Sequence, residues 1–247
     1  MSRRSPGLAH VAPLVAFLMV GLLTGLGLAG KSAAALWVYP LQTGVGLALV
    51  LYFWPVYEFG PVRWGGIGWA VLAAPLALWL WIAPSWWYVR FGAPAWMEGR
   101  IPGPGMPIRV LLGMMERTDG FNPAAHEGSV IPAVAWLALR FVRLVLVTPL
   151  IEEICWRGYV MRLVDDPDRP FFENPFGRHR WKTYGMVTAL VMLVHEPADW
   201  FGAFCFGSVA YALAVKTKSL GTCVLFHALV NLLLGVHVMV SRQWGYW

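Results

Sequence analysis

The chain has 247 residues, 58% hydrophobic and only 13% charged, with a net charge of +6 and a mean hydropathy of +0.59. Soluble domains carry about 25% charged residues, so this balance, with 15 tryptophans, points to a polytopic membrane protein whose partner is lipid. The basic residues are scattered between apolar runs as orientation signals are, which argues against nucleic acid as a partner. Cys155, Cys205 and Cys223 fall in apolar segments without C-x-x-C spacing, so they read as small buried side chains and not as a disulfide framework or zinc site.

In chain order, the basic start "MSRRSPGLAH" leads into an apolar run over about 10–30. That run is too long for a signal-peptide core and lacks a clear cleavage site, so it reads as a retained first span. Further runs of spanning length follow at roughly 34–55, 65–89, 129–148, 183–195, 199–215 and 219–240. The segment 148–164 continues the fourth run as helix, with a break expected near Pro149. This gives about seven spans, or eight if 148–164 crosses separately. The whole of 1–247 reads as one integral-membrane domain, without internal repeats, and its motif-bearing core covers about 129–240.

Two connections are long. Residues 90–127 hold the Pro/Gly connector "GRIPGPGMP" and then "IRVLLGMMERTDGF", a candidate interfacial helix. Residues 165–182, "DDPDRPFFENPFGRHRWK", are polar and turn-rich. Positive charge places the amino terminus, the 56–63 loop, the 165–182 loop and "KTK" (216–218) on the cytoplasmic side. "WLWIAPSWWY" (79–88) reads as an interfacial aromatic belt.

The polar residues inside these runs carry the chemistry. "TPLIEEICWRGYV" (148–160) sets Glu152, Glu153 and Arg157 after an apolar stretch, where ionised groups cost roughly 2.5–3.5 kcal/mol each at mid-bilayer. Arg157 lies one helical turn after Glu153 and shares its face, while it points away from Glu152. One acid is therefore expected to be neutralised and the other left to face something else. Two adjacent carboxylates in a low-dielectric site do not both ionise cheaply, and a poised carboxylate is suited to general-base work. A helix end with both acids solvated is the bland alternative. His195 ends the short run "LVMLVH", and His227 stands mid-span in "VLFHALVNLLLG" with Asn231 one turn on. Hydrogen-bonded glue between helices, worth about 0.6 kcal/mol on average, is the bland reading of these. Three separate spans contributing polar groups satisfy one another only by converging.

A convergent Glu, two His and Asn fit two chemistries: metal hydrolysis with His and Glu as ligands, or metal-free hydrolysis in which Glu activates water and His and Asn stabilise an oxyanion. The H-E-x-x-H zinc signature is absent, since Pro197, Ala198 and Asp199 follow His195 and Glu196. Arg140 and Arg143 stand about 14–18 Å up the helix from Glu152 and either line a cavity or snorkel to an interface. Asp199 reads as a helix cap, and His237 falls on another face from His227.

These residues resemble a known family. "EEICWRG" is similar to the E-E-x-x-x-R motif of the CAAX protease and bacteriocin-processing (CPBP) intramembrane proteases. His195 falls at its second motif, with Val191 where that motif often begins with Phe, and "HALVN" resembles its third, H-x-x-x-N. "WVYPLQT" (37–43), "FNP" (121–123), 147–162 and 227–247 look like the branch associated with bacterial exosortase systems. The resemblance implies an all-α, polytopic transmembrane bundle with a conical, water-accessible intramembrane cavity. It implies a glutamic-type protease without a metal cofactor, acting on a membrane-associated or exported polypeptide in a bacterial inner membrane, with a link to an exosortase or exopolysaccharide system. Glu152 with His195 would activate water, His227 and Asn231 would hold the oxyanion, Glu153 would be a structural or assisting acid, and Arg157 would orient the pair. A non-catalytic scaffold or chaperone, or a proton-coupled transporter, are the competing functions.

Overall fold

The computed structural model describes residues 5–25, 31–101, 105–122 and 133–247. Among them there are eight helices and no strand: α1 Pro6–Gly25, α2 Lys31–Phe53, α3 Trp64–Phe91, the single turn α4 Ile108–Leu111, α5 Ala133–Asp165, α6 Trp181–Leu193, α7 Trp200–Thr217 and α8 Leu220–Ser241. Several sequence expectations lie outside the described residues: the basic residues of 1–4, 26–30 of the first run, 102–104 of the connector, 123–127 of the long loop and 129–132 of the fourth run.

Among the described residues four helices are long and apolar enough to cross a membrane: α3, α5, α7 extended back to Pro197, and α8. The 13 residues of α6 rise about 20 Å, short of the roughly 30 Å of hydrocarbon. The seven helices other than α4 alternate in direction through the bundle. At one end Tyr57 donates to Ala9 O, Gly221 N–H to Phe59 O, and Lys218 to Gly177 O. At the other, Ser85 donates to Met115 O, Arg117 to Ala198 O, and the Trp247 indole to Phe121 O. The segments assigned to one side by charge thus gather at one end.

The break expected near Pro149 does not form. The 33 residues of α5 run as one helix, about 50 Å long, so 148–164 is not a separate span. Wide π-helical turns at Arg143–Val147 and Ile154–Val160 flank the α-helical Thr148–Glu153. Proline lacks an N–H and its ring collides with the carbonyl four residues back. A wider turn removes the collision, and Thr148 N–H reaches Arg143 O, five residues back. In that register the next carbonyl, Leu144 O, would look to the N–H of residue 149, which proline does not have. It accepts instead from the Asn231 amide of α8 at 2.8 Å. Pro149 thus opens an acceptor in α5 on which α8 docks.

The expected interfacial helix in 108–121 is one turn only. Gly113, at φ +76°, turns the chain away after Leu112, and Arg117 then pairs with Asp199 at 2.9 Å.

One core layer joins α1, α2 and α5 through Leu14, Phe17, Val50, Ile151 and Ile154. A second packs Ala70, Ala74 and Ala77 of α3 against Phe206, Ala210 and Phe226 of α7 and α8. Small residues let these helices approach closely, as helices in lipid do. Gly202 of α7 is the tightest such point against α3, because a Cβ there would stand 2.6 Å from the Trp81 ring. Gly202→Ala is expected to destabilise the protein by about 1–3 kcal/mol in detergent unfolding. Gly185→Ala, in open space on α6, is expected to be neutral or stabilising by up to about 1 kcal/mol.

Candidate active site

The two adjacent acids of α5 have separate fates. Glu153 is buried and its Oε1 accepts from Arg157 Nη1 at 3.0 Å. The same Oε1 accepts from His227 Nδ1, an N–H donor here, at 2.9 Å. Arg157 is buried as well; its Nη2 reaches Gly207 O, and its guanidinium carbon lies 6.0 Å from the centroid of Phe206. Glu153 Oε2 and Arg157 Nε lack hydrogen-bond partners among the described residues. The i,i+4 pairing expected from the sequence is therefore present, and the structure adds a third member, His227. Its imidazole is fixed by the carboxylate on one side and by the edge of Phe206, with ring centroids 4.6 Å apart, on the other.

Glu152 is half-buried and makes no hydrogen bond or ion pair among the described residues. It borders a cavity of about 270 Å³ whose wall also includes His195, His227 and Asn231. The structure therefore brings four of the six sequence candidates around one hollow, with Glu153 and Arg157 behind its wall.

His195 arrives from the break between α6 and α7. Its Nδ1 donates to Val191 O at 2.7 Å, since a carbonyl only accepts. In the neutral ring this leaves Nε2 with its lone pair, the form able to take a proton. Val191 itself is buried, so the position where the resembled motif often has Phe serves here through packing and through its carbonyl. The Trp200 indole donates to His195 O at 3.3 Å, and Trp81 of α3 meets the imidazole edge-on at 5.9 Å. Asn231 spends one amide hydrogen on Leu144 O, leaving its other N–H and its Oδ1.

The cavity holds further residues that the sequence did not single out for the site. Trp81 belongs to the tryptophan-rich stretch, in which Trp79, Trp86 and Trp87 are exposed as a lipid-facing belt would be, but it turns inward. Asp199 does not cap α7 with its side chain; it lines the cavity and pairs with Arg117. Tyr246 and Trp247 close the wall from beyond α8. Burial raises the Tyr246 phenol above its ordinary pKa, so it remains a neutral donor, toward Ile82 O. His237 bonds Gln243 and does not line the cavity. Of the cysteines, Cys155 and Cys223 are buried and Cys205 partly so, all with free thiols. Among the described residues no group of three His, Cys, Asp or Glu is placed to hold a metal ion.

Residues 134–233 match the family model described as Type II CAAX prenyl endopeptidase Rce1-like. That stretch is about two-fifths of the chain and contains all six candidates, Glu152, Glu153, Arg157, His195, His227 and Asn231. The match is to the family and does not reach the exosortase-associated branch. No curated protein and no solved structure matches the chain.

Removing Arg157 would leave Glu153 as an uncompensated buried charge. Arg157→Met is expected to lower stability by about 3–5 kcal/mol in detergent unfolding. Arg157→Lys, which keeps the charge but loses the planar fork, should fall between it and the unmodified chain.

Proposed function

We propose that the protein is an intramembrane endopeptidase of the CAAX-protease type in which Glu152 activates the attacking water. The observation that carries this reading is the division of labour between neighbouring acids. Glu153 is engaged by Arg157 and His227, whereas Glu152 faces the cavity with no hydrogen bond or ion pair among the described residues. A carboxylate held free in a restricted, low-dielectric hollow has the character a general base needs. His195 shares the wall, and its Nε2 lone pair can assist in receiving the proton. On attack the carbonyl oxygen becomes an oxyanion. With a proton on Nε2 as well, His227, oriented through Nδ1 by Glu153, donates to it as an imidazolium, alongside the remaining Asn231 N–H. Glu153 then acts as orienter of His227, as the acid of a hydrolase triad does for its imidazole.

The reaction we infer is metal-independent, as the resemblance to the glutamic-type family implies and as the missing H-E-x-x-H signature favours. The substrate in this reading is a membrane-anchored or exported polypeptide. The end of the bundle bearing Tyr57, Gly177 and Lys218 faces the cytoplasm of a bacterial inner membrane. The exosortase-associated branch accounts for the resemblances at 37–43 and 227–247, and it would place the substrate among the polypeptides of such a system.

A scaffold that kept polar groups only for packing would pair them with one another, as Glu153 is paired through Oε1 with Arg157 and His227, and would leave no acid facing a hollow as Glu152 does. A proton relay would string its groups along a path through the membrane, whereas these four ring one hollow.

Comparing membrane and secreted peptide termini between cells with the unmodified chain and cells with Glu152→Gln tests the proposal. New termini present only with the unmodified chain are expected, and identical termini in both would remove the assignment. His227→Ala is expected to abolish the same cleavage, by at least about 10²-fold, while the protein still inserts. Activity of the purified protein is expected to survive chelators; loss restored by stoichiometric zinc would assign the water to a metal.

A further inference from the structure

Two arginines of α5 bring positive charge into the bundle, and among the described residues no acid pairs with either. Arg140 is buried, and its Nε and Nη2, like Nε of Arg143, have no hydrogen-bond partner among the described residues. Neither guanidinium stands in an ion pair among those residues. Their neighbours are aromatic: ring faces and, for Arg140, the side-chain hydroxyl of Tyr39. Arg140 lies 4.3 Å over Tyr39, 4.3 Å over Phe121 and 4.8 Å over Trp247. Arg143 lies 4.3 Å over Tyr39 and 4.9 Å over Phe17. A ring face steadies a cation by about 0.5–2 kcal/mol but does not occupy the N–H donors at the guanidinium edge, and three of these are without a hydrogen-bond partner among the described residues. Structural need alone explains such a box poorly. The two cations are three residues apart on one helix face, repel each other, and are expensive in an apolar setting.

Arg143 borders the same cavity as Glu152. Nine residues of helix separate them, about 14 Å by rise, so the hollow is negative at one end and positive at the other. An extended peptide advances about 3.3 Å per residue and would cover that distance in roughly four residues. We infer that Arg143, backed by Arg140, is an anion-holding subsite that receives a carboxylate of the bound polypeptide, roughly four residues from the bond facing Glu152. This rests on the protease reading above. A guanidinium edge offers two parallel N–H donors that match a carboxylate in a bidentate fork. Arg143 lines the same cavity as Glu152, His195 and Asn231, a position that suits a chain threaded into the cavity better than a lipid headgroup at the interface.

The test uses the full chain in lipid nanodiscs, carrying Glu152→Gln so that binding is read without turnover. The probes are a panel of apolar twelve-residue peptides, each made as the free acid and as the C-terminal amide. Binding is followed by tryptophan fluorescence, since Trp81 and Trp247 line the cavity. Free acids are expected to bind about tenfold tighter than their amides, the effect of one charge-assisted pair. That ratio should fall below about twofold in Arg143→Gln and stay intermediate in Arg143→Lys. An amidated peptide ending in Glu distinguishes a side-chain carboxylate, which would restore tight binding, from the terminal one, which would not. Equal binding of acid and amide with Arg143 intact overturns the subsite, and so does an undiminished ratio in Arg143→Gln or no binding by any free acid. Equal binding together with Arg143-dependent displacement by phosphatidylglycerol would give the arginines to a headgroup instead. The comparison of peptide termini stays separate. Acid-selective binding without Glu152-dependent cleavage would keep the subsite and remove the protease, and cleavage without selectivity would do the reverse.

Discussion

One carboxylate oxygen, Glu153 Oε1, holds this structure's polar centre together. It accepts from Arg157 on its own helix and from His227 on α8, so it closes a helix turn and joins two helices at once. Buried ion pairs stabilise little relative to apolar packing, but a broken one leaves a charge with nowhere to go. The Glu153–Arg157–His227 cluster therefore acts mainly as a register lock: α5 and α8 satisfy it in one relative position. That position also sets Asn231 against Leu144 O, the acceptor opened by Pro149. Two fastenings, about one turn apart on α8, hold the wall of the cavity, and Glu152 is left over on the open side.

The same constraint explains the irregular course of α5. A regular α-helix would present Leu144 O to its own backbone. The wide turns on either side of Thr148–Glu153 release a carbonyl above the acids and carry Arg157 below them. π-turns are frequent at functional sites because they shift side chains off the α-helical register at modest cost. The cavity next to them is bipolar, with Glu152 at one end and Arg143 at the other. Its walls come from α1, α3, α5, the α6–α7 connection, α7, α8 and the residues after α8.

Much of this was legible in the sequence because it is local or periodic. The apolar runs showed where helices lie, and the four-residue step from Glu153 to Arg157 gave their pairing. The polar residues of three separate apolar runs implied a meeting point. Contacts without a sequence period stayed hidden. Nothing near Glu153 signals that His227, 74 residues on, will share its oxygen. Asp199 looked like a cap because it precedes a helix, and only the path of the preceding loop brings Arg117 to it. Trp81 looked like its belt neighbours until the close approach of Gly202 showed which side of α3 faces inward. A proline inside a helix predicts a break because the rule for helix interiors assumes an α register, and in α5 a π turn accommodates it.

The central claim is that the neighbouring acids do different work: Glu152 reacts, while Glu153 orients and locks. Turnover and unfolding free energy measured side by side for Glu152→Gln and Glu153→Gln test it most directly. The account predicts that Glu152→Gln loses turnover at unchanged stability, whereas Glu153→Gln loses about 3–5 kcal/mol of stability. Retained turnover in Glu152→Gln, or a Glu153→Gln protein as stable as the unmodified one, would contradict it.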